Sequence, residues 1–365
     1  MALQLQNLSK AYQGKAVIDG VSLDAPAGGI VAVFGPSGGG KTVLLRLIAG
    51  IEEPDSGAVL IDGKDMTEAS PDARGIGMAF QNYALFPHMS AYDNVASALT
   101  SRNIEAGEIR SRVDQIVQLL KIGHVMGHKP RELSNGQKQR TALARALVGA
   151  PKILLLDDPL RNVDAKLRYE MRLELPVLLR KFGSTVLYVT QDYKEAMAIG
   201  NRIAVLIGGK IVQVAAPGEI YDHPGSIDVA CLFGDPGINL FDVTPDADGG
   251  INISNSPLQL GAGFASSAGK PSVLGIRPDA LTINPSANGG TFPVDVLAET
   301  PLNEKSVLLL RTAEGKEVLA AVPASATGTV PIGPAHASFA PGAALLFDRV
   351  SGLSIPRHGV AGARP

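Results

Sequence analysis

Hydrophobic and polar positions divide the chain into two differently patterned parts. In the first, short unbroken apolar runs (Ile30 to Phe34, Ile153 to Leu156, Thr185 to Val189) alternate with stretches of helical period. The clearest such stretch runs from Ile109 to Ile122, with Ile109, Val113, Ile116, Val117 and Leu120 at helical spacing. Unbroken apolar runs predict strands buried on both faces, and their alternation with helices predicts an α/β fold with a parallel core. In the second part, runs rich in β-branched residues (Gly250 to Ile253, Ser272 to Ile276, Phe292 to Val296, Ser306 to Arg311, Ala343 to Phe347) recur between Gly, Pro and Asn clusters. That spacing predicts a small all-β barrel or sandwich. No apolar run approaches the ~18 residues of a spanning helix. The opening MALQLQNLSK lacks the basic flank and apolar stretch of a signal peptide, so export is not expected.

Composition sharpens the division. Charged residues number 50 in the first 235 positions and 18 in the last 130, which places a boundary near Gly234-Asp235-Pro236-Gly237. The expected organisation is a first domain over 1–235 with a helical subdomain at about 85–150, a β domain over 236–356, and a mobile Gly- and Ala-rich tail over 357–365. With 33 basic against 35 acidic residues, the net charge of −2 argues against a nucleic-acid partner bound through overall charge. The lone Cys231 cannot form a disulfide within the chain and is expected to be a small buried residue in a reducing compartment.

Candidate chemistry begins at Gly35-Pro36-Ser37-Gly38-Gly39-Gly40-Lys41-Thr42, which matches GxxxxGK followed by Ser or Thr, between a predicted strand and a predicted helix. Such glycines let backbone N–H groups curl around phosphate oxygens. The helix N-terminus adds a positive dipole, Lys41 reaches the β and γ phosphates, and Thr42 ligates Mg²⁺. A glycine-rich turn that merely joins strand to helix is the alternative. A second element, Ile153-Leu154-Leu155-Leu156-Asp157-Asp158-Pro159, ends an apolar strand in two acids. Asp157 is expected to hold the Mg²⁺ shell and Asp158 to orient or deprotonate the attacking water, unless the pair simply caps a loop.

Between these elements lies Leu133-Ser134-Asn135-Gly136-Gln137, and with it the chain resembles the ATP-binding subunit of ABC transporters, whose signature reads LSGGQ. The order of the other segments fits as well: Ala79-Phe80-Gln81-Asn82-Tyr83 after the phosphate loop, then the signature, the acidic strand, Leu160-Arg161-Asn162-Val163-Asp164-Ala165, and Val189-Thr190-Gln191-Asp192. The resemblance implies a P-loop NTPase cassette working as a dimer, with ATP and Mg²⁺ between the phosphate loop of one subunit and the signature of the other. Gly35, Ser37, Gly38, Gly39, Gly40, Lys41, Thr42 and Val43 would hold the nucleotide in this chain. Ser134, Gly136 and Gln137 would face the nucleotide bound by the partner. Tyr12 matches the aromatic residue that stacks on adenine, and Gln81 the residue that touches Mg²⁺ and senses the membrane subunit.

Residues 76–95 resemble the maltose-type and glycerol-phosphate-type importer ATPases, in which this segment receives a short helix of the membrane subunit. Tyr83, Phe86, Pro87 and Met89 would form that docking patch. Gly275-Ile276-Arg277-Pro278-Asp279 and its surroundings resemble the small OB-like (TOBE) domain appended to the same importers. The resemblance implies two transmembrane permease subunits, a second ATPase chain and, indirectly, a substrate-binding protein, at the cytoplasmic face of the inner membrane, with a carbohydrate or polyol as cargo. Soluble ABC ATPases acting on DNA or ribosomes would need long coiled-coil or zinc-binding insertions or duplicated cassettes, and this chain has one phosphate loop and one Cys.

Departures from the family pattern are equally specific. The family has Glu where this chain has Asp158, His where it has Gln191, Gly where it has Asn135, Ser where it has Arg161, and usually Thr where it has Val43. Asp is one methylene shorter than Glu, and loss of a well-placed base costs ~10² to 10⁴ in rate. Gln191 can donate a hydrogen bond but neither titrates nor carries charge. The expected consequence is a phosphate loop that binds ATP and turns it over poorly, in a heterodimer with a different ATPase subunit. The alternative is a largely non-hydrolytic regulatory subunit.

Overall fold

The computed structural model describes residues 2–100, 104–260, 262–302, 304–328 and 330–357. Apart from Arg357, the expected mobile tail lies outside the described residues. Two compact units divide the chain, Met1–Ile220 and Tyr221–Pro365.

The first unit opens with β1 (Leu3–Tyr12) and β2 (Lys15–Ala25), followed by β3 (Ile30–Phe34), α1 (Lys41–Ala49), β4 (Ser56–Ile61), β5 (Lys64–Asp65), α2 (Pro71–Arg74) and β6 (Ile76–Ala79). The helical part follows with α3 (Ala91–Thr100), α4 (Ala106–Leu119) and α5 (Asn135–Leu147). The chain then forms β7 (Ile153–Asp157), α6 (Ala165–Phe182), β8 (Thr185–Thr190), α7 (Tyr193–Ile199), β9 (Arg202–Ile207) and β10 (Lys210–Ala215). β1, β2, β4 and β5 pair antiparallel in one sheet, in the order β2-β1-β4-β5. A six-stranded sheet has the order β10-β9-β3-β8-β7-β6, parallel except at β10.

Every residue of β3, β7 and β8 is buried, which is why their sequences read as unbroken apolar runs rather than alternating ones. Leu44, Leu45, Leu47 and Ile48 of α1 fill the core shared with the antiparallel strands. Val95 and Leu99 of α3, Val113 and Ile116 of α4, and Leu143 and Leu147 of α5 pack in the other core with Leu154, Leu156 and Tyr188. The helical period read at 109–122 ends three residues early, because Leu120 caps α4 and the chain turns at Lys121, whose φ is +56°.

The second unit is antiparallel throughout. Its strands are β11 (Asn239–Val243), β12 (Gly250–Ile253), β13 (Ser256–Gln259), β14 (Ser272–Ile276), β15 (Leu281–Asn284), β16 (Phe292–Pro301), β17 (Lys305–Thr312), β18 (Glu317–Pro323), β19 (Gly333–Phe339) and β20 (Leu345–Asp348). They form sheets of order β11-β14-β20, β12-β13 and β15-β19-β16-β17-β18 around one core, in which Phe241 and Phe292 meet edge to face at 5.9 Å. The division at Ile220 falls fifteen residues before the boundary that charge density marks at 235. Residues 221–233 are tied to this unit by the Ser226–Leu353 bridge, by Ala230 packed with Val273 and Phe347, and by Arg277. Its guanidinium stacks 3.7 Å from the Tyr221 ring and donates to the Tyr221 and Phe233 carbonyls, so it ties that stretch to the end of β14. Cys231, expected to be buried, is exposed. Among the described residues no helix is long and apolar enough to cross a membrane.

Candidate functional site

Four neighbouring strands of the six-stranded sheet, in the order β3-β8-β7-β6, deliver chemistry at their carboxyl ends, where open α/β sheets bind ligands. Gly35 follows β3, Gln191 follows β8, Asp157 ends β7 and Asp158 follows it, and Gln81 lies two residues beyond β6. With Val17, Ser37, Gly38, Gly40, Lys41, Thr42, Val43, Arg161 and Val189, these last four enclose a cleft of about 220 Å³.

The phosphate loop is shaped by backbone constraint. Gly40, at φ +93°, precedes α1 without any side-chain cap, and a Cβ there would lie 2.6 Å from the Val17 carbonyl oxygen. A Cβ at Gly35 would collide with the Leu206 carbonyl. Only glycine allows both close approaches, which bring the loop down onto the sheet so that the uncapped N–H groups of α1 start at the cleft. The Lys41 amine, 9% exposed, donates to the Gly35 and Pro36 carbonyl oxygens at 2.8 and 2.7 Å. Burial pulls its pKa down while Asp158 and Asp157 pull it up. Ser37 donates to the side-chain oxygen of Gln191, so the residue that replaces the family's His is fastened to the phosphate loop.

Thr42 donates its hydroxyl proton to Asp157 at 3.1 Å. A hydroxyl beside a carboxylate is a hard-oxygen donor pair suited to Mg²⁺, which keeps several waters and needs no all-protein cage. No cluster of three or more His, Cys, Asp or Glu able to hold a metal occurs among the described residues. Asp157 and Asp158 are 4% and 7% exposed, and burial pushes both carboxyls above the usual range. Asp158 adopts φ +43°, its N–H donates to the Val189 carbonyl at 2.9 Å, and its carboxylate stands 3.9 Å from Arg161.

Other expected positions differ. Tyr12, at the end of β1, is 41% exposed, does not line the cleft, and donates its hydroxyl to Glu52, which raises its pKa. The side-chain oxygen of Gln81, oriented by its hydrogen bonds, accepts from Arg161 Nη1 at 2.9 Å and Nε at 3.2 Å. Arg161 is the cleft residue that motif reading registers only as a departure.

In the signature, Ser134 Oγ accepts from the Gln137 N–H and Gln137 Oε1 from the Ser134 N–H, a reciprocal cap on α5. Ser134 is exposed, whereas Gly136 is buried and a Cβ there would strike Leu167. Tyr83, expected on an exposed docking patch, is buried, with its hydroxyl 3.5 Å from the Asn162 carbonyl. Phe86 and Pro87 are exposed and Met89 is half-buried. Phe86 borders a groove of about 440 Å³ with Met78, Phe80, Ala84, Ser97 and Arg145, whose guanidinium lies 5.5 Å from the Phe86 ring.

The model of a family described as "ABC transporter" matches residues 18–161. The chain is 40% identical over 321 residues to the sn-glycerol-3-phosphate import ATP-binding protein UgpC of Bordetella avium (strain 197N), covering 87% of each chain. It is 43% identical over 299 residues to the protein of the same name from Salmonella typhi, covering 81% of this chain and 84% of the relative. Among solved structures, the dimeric ATP-binding cassette MJ0796 in a post-hydrolysis state bound to ADP and Pi is 30% identical with a TM-score of 0.54, over 59% of this chain and 98% of that one.

Proposed function

Because the chain belongs to the ABC transporter family, as an import ATP-binding subunit, we propose that it binds ATP in the cleft at the ends of β3, β8 and β7 and powers uptake of a carbohydrate or polyol. The cargo named for its relatives, sn-glycerol 3-phosphate, is of that class. The observation that carries the reading is the convergence of Lys41, Thr42, Asp157, Asp158 and Gln191 on one cleft. Lys41 leaves two carbonyl oxygens to meet phosphate, and the N-terminus of α1 adds its unpaired N–H groups. Thr42 and Asp157 would hold Mg²⁺, which neutralises phosphate charge when bound. Asp158 is the group available to accept a proton from the attacking water.

Membrane permease subunits would dock at the groove beside Phe86 and Arg145, on the cytoplasmic face of the inner membrane, with a substrate-binding protein delivering cargo to them. The dimeric form of the solved cassette supports pairing with a second ATPase. Asp158 and Gln191, in place of Glu and His, favour a partner that is a different chain, with Ser134 and Gly136 completing its site. Lys41→Ala tests the foundation. A hydrogen bond to a charged group contributes about 1.5–3 kcal/mol, so losing the Lys41 contacts to two phosphates should weaken MgATP binding by ~10²-fold or more in calorimetric titration. Unchanged affinity would overturn the assignment.

A further inference from the structure

We propose that Arg161 is a second cation of the phosphate cleft, contributed by this chain to the terminal phosphate of its own bound nucleotide, and that through it the subunit tells ATP from ADP. The inference rests on the cleft being an ATP site.

Four observations carry it. Arg161 lines the cleft together with Lys41, Thr42, Asp157 and Gln191. Its backbone is clamped at both ends: its N–H donates to the Asp158 carbonyl at 3.2 Å, and its carbonyl accepts from Arg168 at 2.9 Å. The guanidinium is aimed by a neutral group, since Nη1 and Nε both donate to Gln81. Its opposite charge, Asp158, stands at 3.9 Å, outside hydrogen-bond distance. An amide acceptor orients a guanidinium without neutralising it, and the planar fork matches phosphate oxygens two at a time.

The charges of the cleft point the same way. Lys41 and Arg161 are close enough that Arg161 lowers the Lys41 pKa, so two cations repel each other across one cleft. Two cations lining one cleft favour an anion there, and the terminal phosphate adds charge that ADP lacks. Gln191, fastened to Ser37, brings none. The position the family fills with a small hydroxyl residue thus supplies here the positive charge that the family places at its switch histidine.

The test measures dissociation constants of the purified full-length chain for MgATP and MgADP, in the wild type, Arg161→Ala, Arg161→Gln and Lys41→Ala. Arg161 is about half exposed, and Gln keeps most of its length, so the two neutral variants guard against a folding artefact in either. Both should weaken MgATP binding by about tenfold or more, as for loss of one charge-assisted contact, while changing MgADP affinity less than twofold. If both variants keep the wild-type preference, or lose ATP and ADP affinity equally, the proposal fails. If the wild type binds neither nucleotide, or Lys41→Ala binds both normally, the ATP-site reading itself fails.

Discussion

Glu195 is 1% exposed and accepts hydrogen bonds from Tyr188 at 2.8 Å and Thr190 at 2.9 Å, yet burial raises its pKa from 4.5 to about 7. It lies in the first turn of α7, four residues after Gln191, so its proton bears on the loop that holds Gln191 to Ser37. The folded state keeps a proton that the unfolded chain releases, so stability declines as pH rises through the window from 4.5 to about 7 and levels off above it. Glu195→Gln retains an acceptor without a charge to bury. Its melting temperature should match the wild type near pH 4.5 and exceed it at pH 8 by several degrees, for roughly 1–3 kcal/mol. A pH-independent difference in calorimetric scans would contradict this. At this scale Lys41, Thr42, Asp157 and Asp158 were legible because a strand, a turn and a helix must surround their motifs. The reach of Arg161 to Gln81 was not, because it depends on which distant segments the sheet brings together, and Glu195 was not, because its bonds to Tyr188 and Thr190 depend on how the chain turns from β8 into α7. The bond from the Tyr12 hydroxyl to Glu52, 40 residues on, was not legible either, because a motif position does not specify such a partner.

Elements were legible wherever burial is complete on both faces, as in β3, β7 and β8, and wherever Gly, Pro and Asn separate β-branched runs, as in β12, β14 and β16. The division between units was less so. Charge density changes near 235 because strands with a closed core begin there, whereas α8 (Pro217–Asp222) and α9 (Ile227–Leu232) are helices, like much of the first unit. What assigns residues 221–233 to the β unit is a set of long-range contacts: the Ser226–Leu353 bridge, Ala230 packed with Val273 and Phe347, and the 6% exposed Arg277, held by the Tyr221 ring and two carbonyls. Lysine at that position would keep the charge but lose the stacked plane and one of the two bonds. Arg277→Lys should therefore destabilise the β unit by about 2–3 kcal/mol. Calorimetry of the full chain would show one transition lowered by about 5–10 °C, with MgATP affinity unchanged because the phosphate cleft belongs to the other unit. Uniform lowering of all transitions would show that Arg277 does not act within the β unit alone.

For the whole molecule, the question is how a cassette with Asp158 and Gln191 keeps a transporter working. Asp158 combines a short side chain, a left-handed backbone at φ +43°, a tether from its N–H to Val189 and a cation 3.9 Å away. The short side chain and the left-handed, tethered backbone would set the carboxylate back from an attacking water, and a misplaced general base costs ~10² to 10⁴ in rate. Two copies of this chain would carry that cost at both sites. Pairing with a different ATPase that bears Glu and His would confine it to one, while the exposed, self-capped Ser134 at the start of α5 would serve the competent site. The slow site would then hold ATP as a clamp, with Arg161 favouring the triphosphate. In reconstituted complexes, Asp158→Asn should lower turnover less than threefold, whereas neutralising the partner's base should lower it by ~10² or more. The isolated complex should contain one copy of this chain beside one copy of another ATPase. Two copies of this chain and no other ATPase, or loss of all hydrolysis on Asp158→Asn, would make Asp158 a working base in spite of its geometry.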